Sequence, residues 1–194
     1  MLGVKDLIYR YRHNRGYGVQ SPYAFHFVTA VVAEKHAFYA YSTINKAAAK
    51  CGYKAARARL LFRVANYARS HSIIMCEPCE AASQALTLAR PSAQTTVIDA
   101  SAHNISAALG NGQPLGLLYV GASKNYAPVV EQALEHASSS SIIIIEGIHS
   151  SCEKRNWWQC VKQNPAVAVT FDLYSMGILF FDKNYRKQHY TLKK

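Results

Sequence analysis

Apolar positions follow a helical period over the first third of the chain and a strand period over the rest, and the change falls near residue 70. Residues 5–12 and 22–34 carry apolar side chains at the 3–4-residue spacing of one helix face. Between them lies Arg15-Gly16-Tyr17-Gly18-Val19-Gln20-Ser21-Pro22, where two glycines permit unusual dihedrals and Ser21-Pro22 forms a cap followed by a first-turn proline. The spacing predicts helix, ordered loop, helix. From about Asn45 to Arg69 the chain is rich in Ala, Lys, Arg and Leu, with Leu60, Leu61, Val64, Ala65 and Ala68 on one stripe, which predicts a long basic helix.

After Ser70, short β-branched runs alternate with helical segments, the pattern of βαβ units in a parallel sheet. Strands are predicted at 72–76, 95–99, 116–121, 141–146, 167–173 and 177–182, with helices at about 80–89, 126–138 and 153–163. The unbroken run Ile142–Ile145 has no polar alternation, so it belongs to a strand covered on both faces near the centre of the sheet. The last two strands are joined by Tyr174-Ser175-Met176, too short for a parallel crossover, and should form an antiparallel hairpin. The expected fold class is α/β, with residues 1–70 as a helical extension packed on a core formed by 71–194.

Length and composition narrow this further. At 194 residues and 50% hydrophobic, the chain can bury one good core. It contains no apolar run long enough for a membrane span, and its first residues lack the apolar stretch of a signal peptide, so the expected compartment is the cytoplasm. Five cysteines at irregular positions do not read as a disulfide framework, and free thiols are expected. The net charge of +11 is unevenly spread: residues 1–70 hold 12 of the 22 Lys and Arg but only two of the 11 acids, Asp6 and Glu34. Such a concentration suits a polyanionic partner such as RNA, DNA or an anionic lipid surface, and equally a solvated helical face.

A parallel sheet that ends in an antiparallel hairpin resembles the class I S-adenosylmethionine-dependent methyltransferases, and two landmarks make the resemblance more specific. Gly16-Tyr17-Gly18-Val19-Gln20-Ser21-Pro22-Tyr23-Ala24-Phe25 is similar to an N-terminal signature of a bacterial O-methyltransferase-like family. Glu146-Gly147-Ile148-His149, followed by the hairpin segment Met176–Phe181, is similar to its C-terminal one. The resemblance implies a Rossmann-like sheet and an S-adenosylmethionine site at the carboxyl ends of the strands. The loop from Tyr17 through Gln20 to Ser21 either folds over that edge to line a pocket with Gly121 or serves equally as a structural clasp.

Measured against that family, the functional positions have changed. The glycine-rich turn after the first strand, where the backbone must approach the cofactor closely, is here Met75-Cys76-Glu77-Pro78-Cys79-Glu80-Ala81. Met75 stands where the family has an acid, and Glu77 and Ala81 stand where it has glycines. Pro78 removes an amide donor, and Glu77 and Glu80 bring negative charge to the place a cofactor carboxylate would approach. Ordinary cofactor binding is therefore expected to be lost. Asp99 keeps the acid that would receive the ribose hydroxyls. Only the 16 residues Ala100–Leu115 separate it from the next strand, too few for helix, strand and helix, so the family's third strand is expected to be missing. Gly121 and Lys124 replace the acid and histidine of metal-dependent relatives, and Glu146-Gly147 keeps one of two carboxylates, so no metal is expected.

Three further readings remain open. Cys76-Glu77-Pro78-Cys79 is a CxxC between a strand and a helix, a setting for redox chemistry, although Glu77 and Glu80 disfavour a thiolate there. A zinc site on the same cysteines finds no second spacing among His103, His149 and Cys152. Glu146 and His149, at a strand end, are the candidates for acid–base work. The functions in view are a noncatalytic scaffold for a protein or small-molecule ligand, a methyltransferase for a small substrate, and a nucleic-acid-binding module using residues 1–70.

Overall fold

A computed structural model describes residues 19, 21–100, 105–109 and 113–192. The first predicted helix, Tyr17 and Gln20 lie outside the described residues. Ser21 begins the described helical layer: its hydroxyl accepts the Ala24 amide at 3.5 Å, and Pro22 opens helix α1, Pro22–Phe27. The chain continues as a π-helical turn, Val28–Val32. Its carbonyls meet the buried Arg63 guanidinium, which donates to Val31 O at 2.6 Å, Val32 O at 3.3 Å and Tyr41 Oη at 2.9 Å.

The single helix expected over 45–69 is two helices, α2, Tyr41–Lys50, and α3, Ala55–Ala68. The break is at Cys51-Gly52. Gly52 takes φ +68°, left-handed backbone that a glycine adopts without strain, and this turns the chain so that Tyr53 points back over the sheet.

The sheet contains β1, Ser72–Cys76; β2, Gln94–Ile98; β3, Leu115–Val120; β4, Ala137–Glu146; β5, Val169–Asp172; β6, Met176–Phe180; and β7, Gln188–Thr191. Their order is β2-β1-β3-β4-β6-β5-β7. The first four run parallel, and β6 is antiparallel to both neighbours, as the short hairpin requires. β4, with Ile142–Ile145, is the central strand. Between β2 and β3 the described residues form only the short helix α5, Ile105–Leu109, so among them the third strand of the family pattern is absent and β2 is the outer strand.

Two features depart from the sequence reading. β7, parallel to β5, was not predicted; its sequence Gln188-His189-Tyr190-Thr191 lacks an apolar run because it is an edge strand. β4 starts at Ala137, not Ser141. The register jumps from Leu115↔Ala137 to Leu117↔Ile142, and the extra serines satisfy one another and the neighbouring strand, Ser141 Oγ donating to Leu115 O at 2.5 Å.

Alternation along the strands builds two cores. Ile73, Met75, Leu117, Tyr119 and Ile144 face α1–α3 and α4, Glu80–Ala89. Ile74, Leu118, Ile143 and Leu179 face α6, Tyr126–Glu135, and α7, Cys152–Gln163. The helical layer is bonded to the first core by aromatic contacts, Phe27 lying 4.7 Å from Phe171 and 5.0 Å from Phe180 between ring centroids.

Candidate functional site

Parallel sheets bind ligands at the carboxyl ends of their strands, and here the ends of β1, β2, β3 and β4 carry Glu77, Asp99, Gly121 and Glu146. The turn after β1 is held against both neighbouring strands: the Glu77 amide donates to Ile98 O at 3.1 Å, and the Gly121 amide donates to Cys76 O at 2.9 Å. Glu77 itself has φ 47°, a left-handed conformation unusual for a side chain with a Cβ. A Cβ on Gly121 would lie 2.2 Å from the Glu77 carbonyl oxygen, so the glycine is required by the turn packed upon it. The turn ends at Cys79, which caps α4, and Ala81 is buried in that helix's first turn. Asp99 is exposed at the end of β2.

On the α3 face of this edge, Glu146 is 4% exposed and takes the Tyr53 hydroxyl as a hydrogen-bond donor. Arg57 Nη1 lies 3.9 Å from its other oxygen. Burial raises the Glu146 carboxyl above its ordinary value, while Tyr53, Arg57 and Lys154 oppose that rise. Burial and the Glu146 charge push the phenols of Tyr53 and Tyr119 upward, so both remain protonated donors. Lys154, buried at the start of α7, has its ammonium 4.3 Å from the Tyr126 ring centroid. Burial lowers its pKa and the Glu146 charge raises it.

On the α7 face, His149 Nε2 lies 2.7 Å from Asp172 Oδ2, and the imidazole stacks on Tyr174 at 5.1 Å and 14°. Asp172 Oδ1 also accepts the Tyr174 amide at 2.8 Å, which fixes the hairpin turn under the ring. An imidazole whose one nitrogen is held by a carboxylate has a defined tautomer and can accept or deliver a proton at the other.

Sequence reasoning located Glu77, Ala81, Asp99, Gly121, Glu146 and His149 at strand ends, and the structure brings them to one edge. Glu146 and His149 do not form a pair: each has its own partner on its own face. Ser21 lies at the α1 cap. Tyr53, Arg57, Tyr119 and Asp172 were missed. Asp172, just before the predicted hairpin turn, had a positional signal; Tyr53, 93 residues from Glu146, had none. Cys76 is buried, and burial followed by the charges of Glu77 and Asp99 pushes its thiol up to about 11. Among the described residues no three His, Cys, Asp or Glu side chains are grouped as a metal site. Of the 12 basic residues in the first third, Lys35, Lys46, Lys50, Lys54 and Arg69 are exposed, whereas Lys5, Arg10, Arg12 and Arg15 lie outside the described residues. A cleft of about 470 Å³ beside α3 is lined by His26, Arg63, Asn66, Tyr67 and Arg69, among others.

No family model and no curated protein sequence matches this chain. Among the solved structures similar to it are two methyltransferases. The O-methyltransferase TomG from Streptomyces achromogenes, in complex with SAM, is 12% identical with a TM-score of 0.49, over 75% of this chain and 91% of that one. The SAH-bound methyltransferase PaMTH1 from Podospora anserina is 12% identical with a TM-score of 0.50, over 84% of this chain and 96% of that one. At this identity the second likeness bears on the fold alone, and together with the strand order and the C-terminal hairpin it identifies the chain as having a class I methyltransferase-like fold.

Proposed function

We propose that this protein is a noncatalytic descendant of the methyltransferase scaffold, retained to bind a protein partner or a small ligand. The observation that carries the reading is the packing of the β1–α4 turn on Gly121. In a cofactor-binding turn the backbone leaves room for the ligand and points amides at it; here the Glu77 carbonyl occupies the space beside Gly121, Pro78 offers no amide, and Glu77 and Glu80 are exposed acids at the same place. These residues do not fit S-adenosylmethionine. The sealing of Glu146 under Tyr53 supports the same reading, because a carboxylate used on a substrate must be reachable. The outer strand β2, where Val97 is 61% exposed, supplies a surface a partner could cover.

A second reading, methyl transfer to a small hydroxylated substrate, is favoured by one observation, the oriented His149–Asp172 pair, which is built to take a proton from a hydroxyl. Calorimetric titration with S-adenosylmethionine and S-adenosylhomocysteine separates the two, with Asp99→Ala as control. The scaffold reading expects no binding heat at millimolar ligand. Micromolar binding that disappears in Asp99→Ala would overturn it.

A further inference from the structure

Helix α3 connects the two edges of the sheet. Its first turn brings Arg57 beside Glu146 at the carboxyl edge; its last turn, after 14 residues and about 20 Å, reaches the amino edge, where β1 begins at Ser72. The cleft of about 470 Å³ opens at this far end, a volume in the range of small-molecule sites. Arg63, 7% exposed, forms its floor. Phe38 and Tyr67 are half-buried walls, and His26, Asn66 and Arg69 stand exposed at the rim. Among the described residues no aspartate or glutamate lines it.

A guanidinium has five N–H donors, and four of those on Arg63 go to neutral oxygens: Val31 O, Val32 O, Tyr41 Oη and Arg59 O. These bonds satisfy donors but leave the charge unbalanced, since among the described residues no carboxylate pairs with it. A buried charge normally has a counter-charge. Glu34 lines a neighbouring cleft that Arg63 also borders, but its carboxylate is committed to the Lys35 and His36 amides and the His36 ring. Arg69 brings a second guanidinium to the cleft from a backbone of φ 49°, the left-handed position that glycine usually takes at a helix end. The carbonyl end of α3 opposes an anion with about half an elementary charge, which two guanidinia outweigh. We propose that this cleft binds a small aromatic carboxylate, its anionic end between Arg63 and Arg69 and its ring against Phe38 and Tyr67. A single planar negative group matches the one N–H left on Arg63 together with the Arg69 fork, and the half-buried aromatic walls suit a planar apolar body rather than a hydrated phosphate. The inference rests on neither reading of the carboxyl edge, because the cleft lies at the opposite end of α3.

The test is calorimetric titration of the full chain with 2-naphthoate, set against 2-naphthamide, a neutral molecule of the same shape, and inorganic phosphate, an anion without a ring. The expected result is saturable binding of one naphthoate below millimolar concentration, with each of the other two weaker by about tenfold or more. Arg69→Gly should weaken naphthoate by about tenfold while the chain stays folded, because glycine adopts that backbone without strain. Lys46→Gln, which removes an exposed cation of α2 outside the cleft, should leave binding unchanged. No heat with naphthoate at millimolar concentration, equal binding of the naphthamide or of phosphate, or undiminished binding in Arg69→Gly would overturn the inference. S-adenosylmethionine should not compete with naphthoate, so the outcome at this cleft is read separately from that at the carboxyl edge. The comparison of the three ligands uses the unaltered protein and does not depend on how any variant folds.

Discussion

The two faces of the sheet meet at one carboxyl edge and end there in different chemistry. On the α3 face, the acid of β4 is sealed: Glu146 lies under Tyr53, with Arg57 and Tyr119 around it. On the α7 face, the acid of β5 is presented: Asp172 holds a His149 that is 13% exposed on its side chain and backed by Tyr174. One group of residues closes a site and the other keeps a proton-handling pair in order. The difference arises from what covers each face, since the helical layer that supplies Tyr53 and Arg57 packs on one side only.

The largest effect expected is on the α7 face. Trp158 is fully buried, and its ring would lie 2.5 Å from a Cβ on Gly177 of β6. Trp158→Ala should cost about 3–5 kcal/mol in urea unfolding, because the cavity cannot collapse against a sheet. Trp158→Phe should cost less, since the indole Nε1 has no hydrogen-bond partner among the described residues and its desolvation penalty leaves with it. Equal losses for the two variants would contradict this account.

On the sealed face, Tyr53→Phe removes the donor to a buried carboxyl and should cost about 1–3 kcal/mol. Titration sharpens the contrast between faces. The folded-state pKa of Glu146 is raised above its ordinary 4.5, so between that value and the raised one the folded protein binds more protons than the unfolded chain. Its contribution is therefore complete below 4.5 and declines as pH rises through the folded value. Glu146→Gln should flatten the stability profile on that rise, and an unchanged slope would show that Glu146 is not the group responsible.

The sheet was legible because its strands are unbroken β-branched runs, and Ile142–Ile145 in particular can only be a strand covered on both faces. That the described residues between Asp99 and Leu115 hold no third strand was legible from chain length alone. The helix break at Gly52 was not, since one glycine in an Ala- and Lys-rich stretch costs only about 1 kcal/mol and does not by itself end a helix. The candidate site divided in the same way. Strand-end acids announced themselves through position, whereas the groups that decide their chemistry come from distant segments: Tyr53 and Arg57 reach Glu146 through helix packing that periodicity does not encode.

The smallest effect expected is at the seam between these segments. Lys50 and Glu80 are an exposed pair, 73% and 41% accessible on their side chains, and solvent screens most of their attraction. Lys50→Ala should change stability by no more than about 0.5 kcal/mol. Its value as a test lies elsewhere. If the pair aligns the α2 and α4 ends, its loss should speed hydrogen exchange across residues 50–55 while leaving the Glu146 stability profile and the α7 face unchanged. If exchange there is unchanged, alignment of the two helix ends resides in the packing of α2 on α4, and the ion pair only decorates a seam that the apolar contacts already hold.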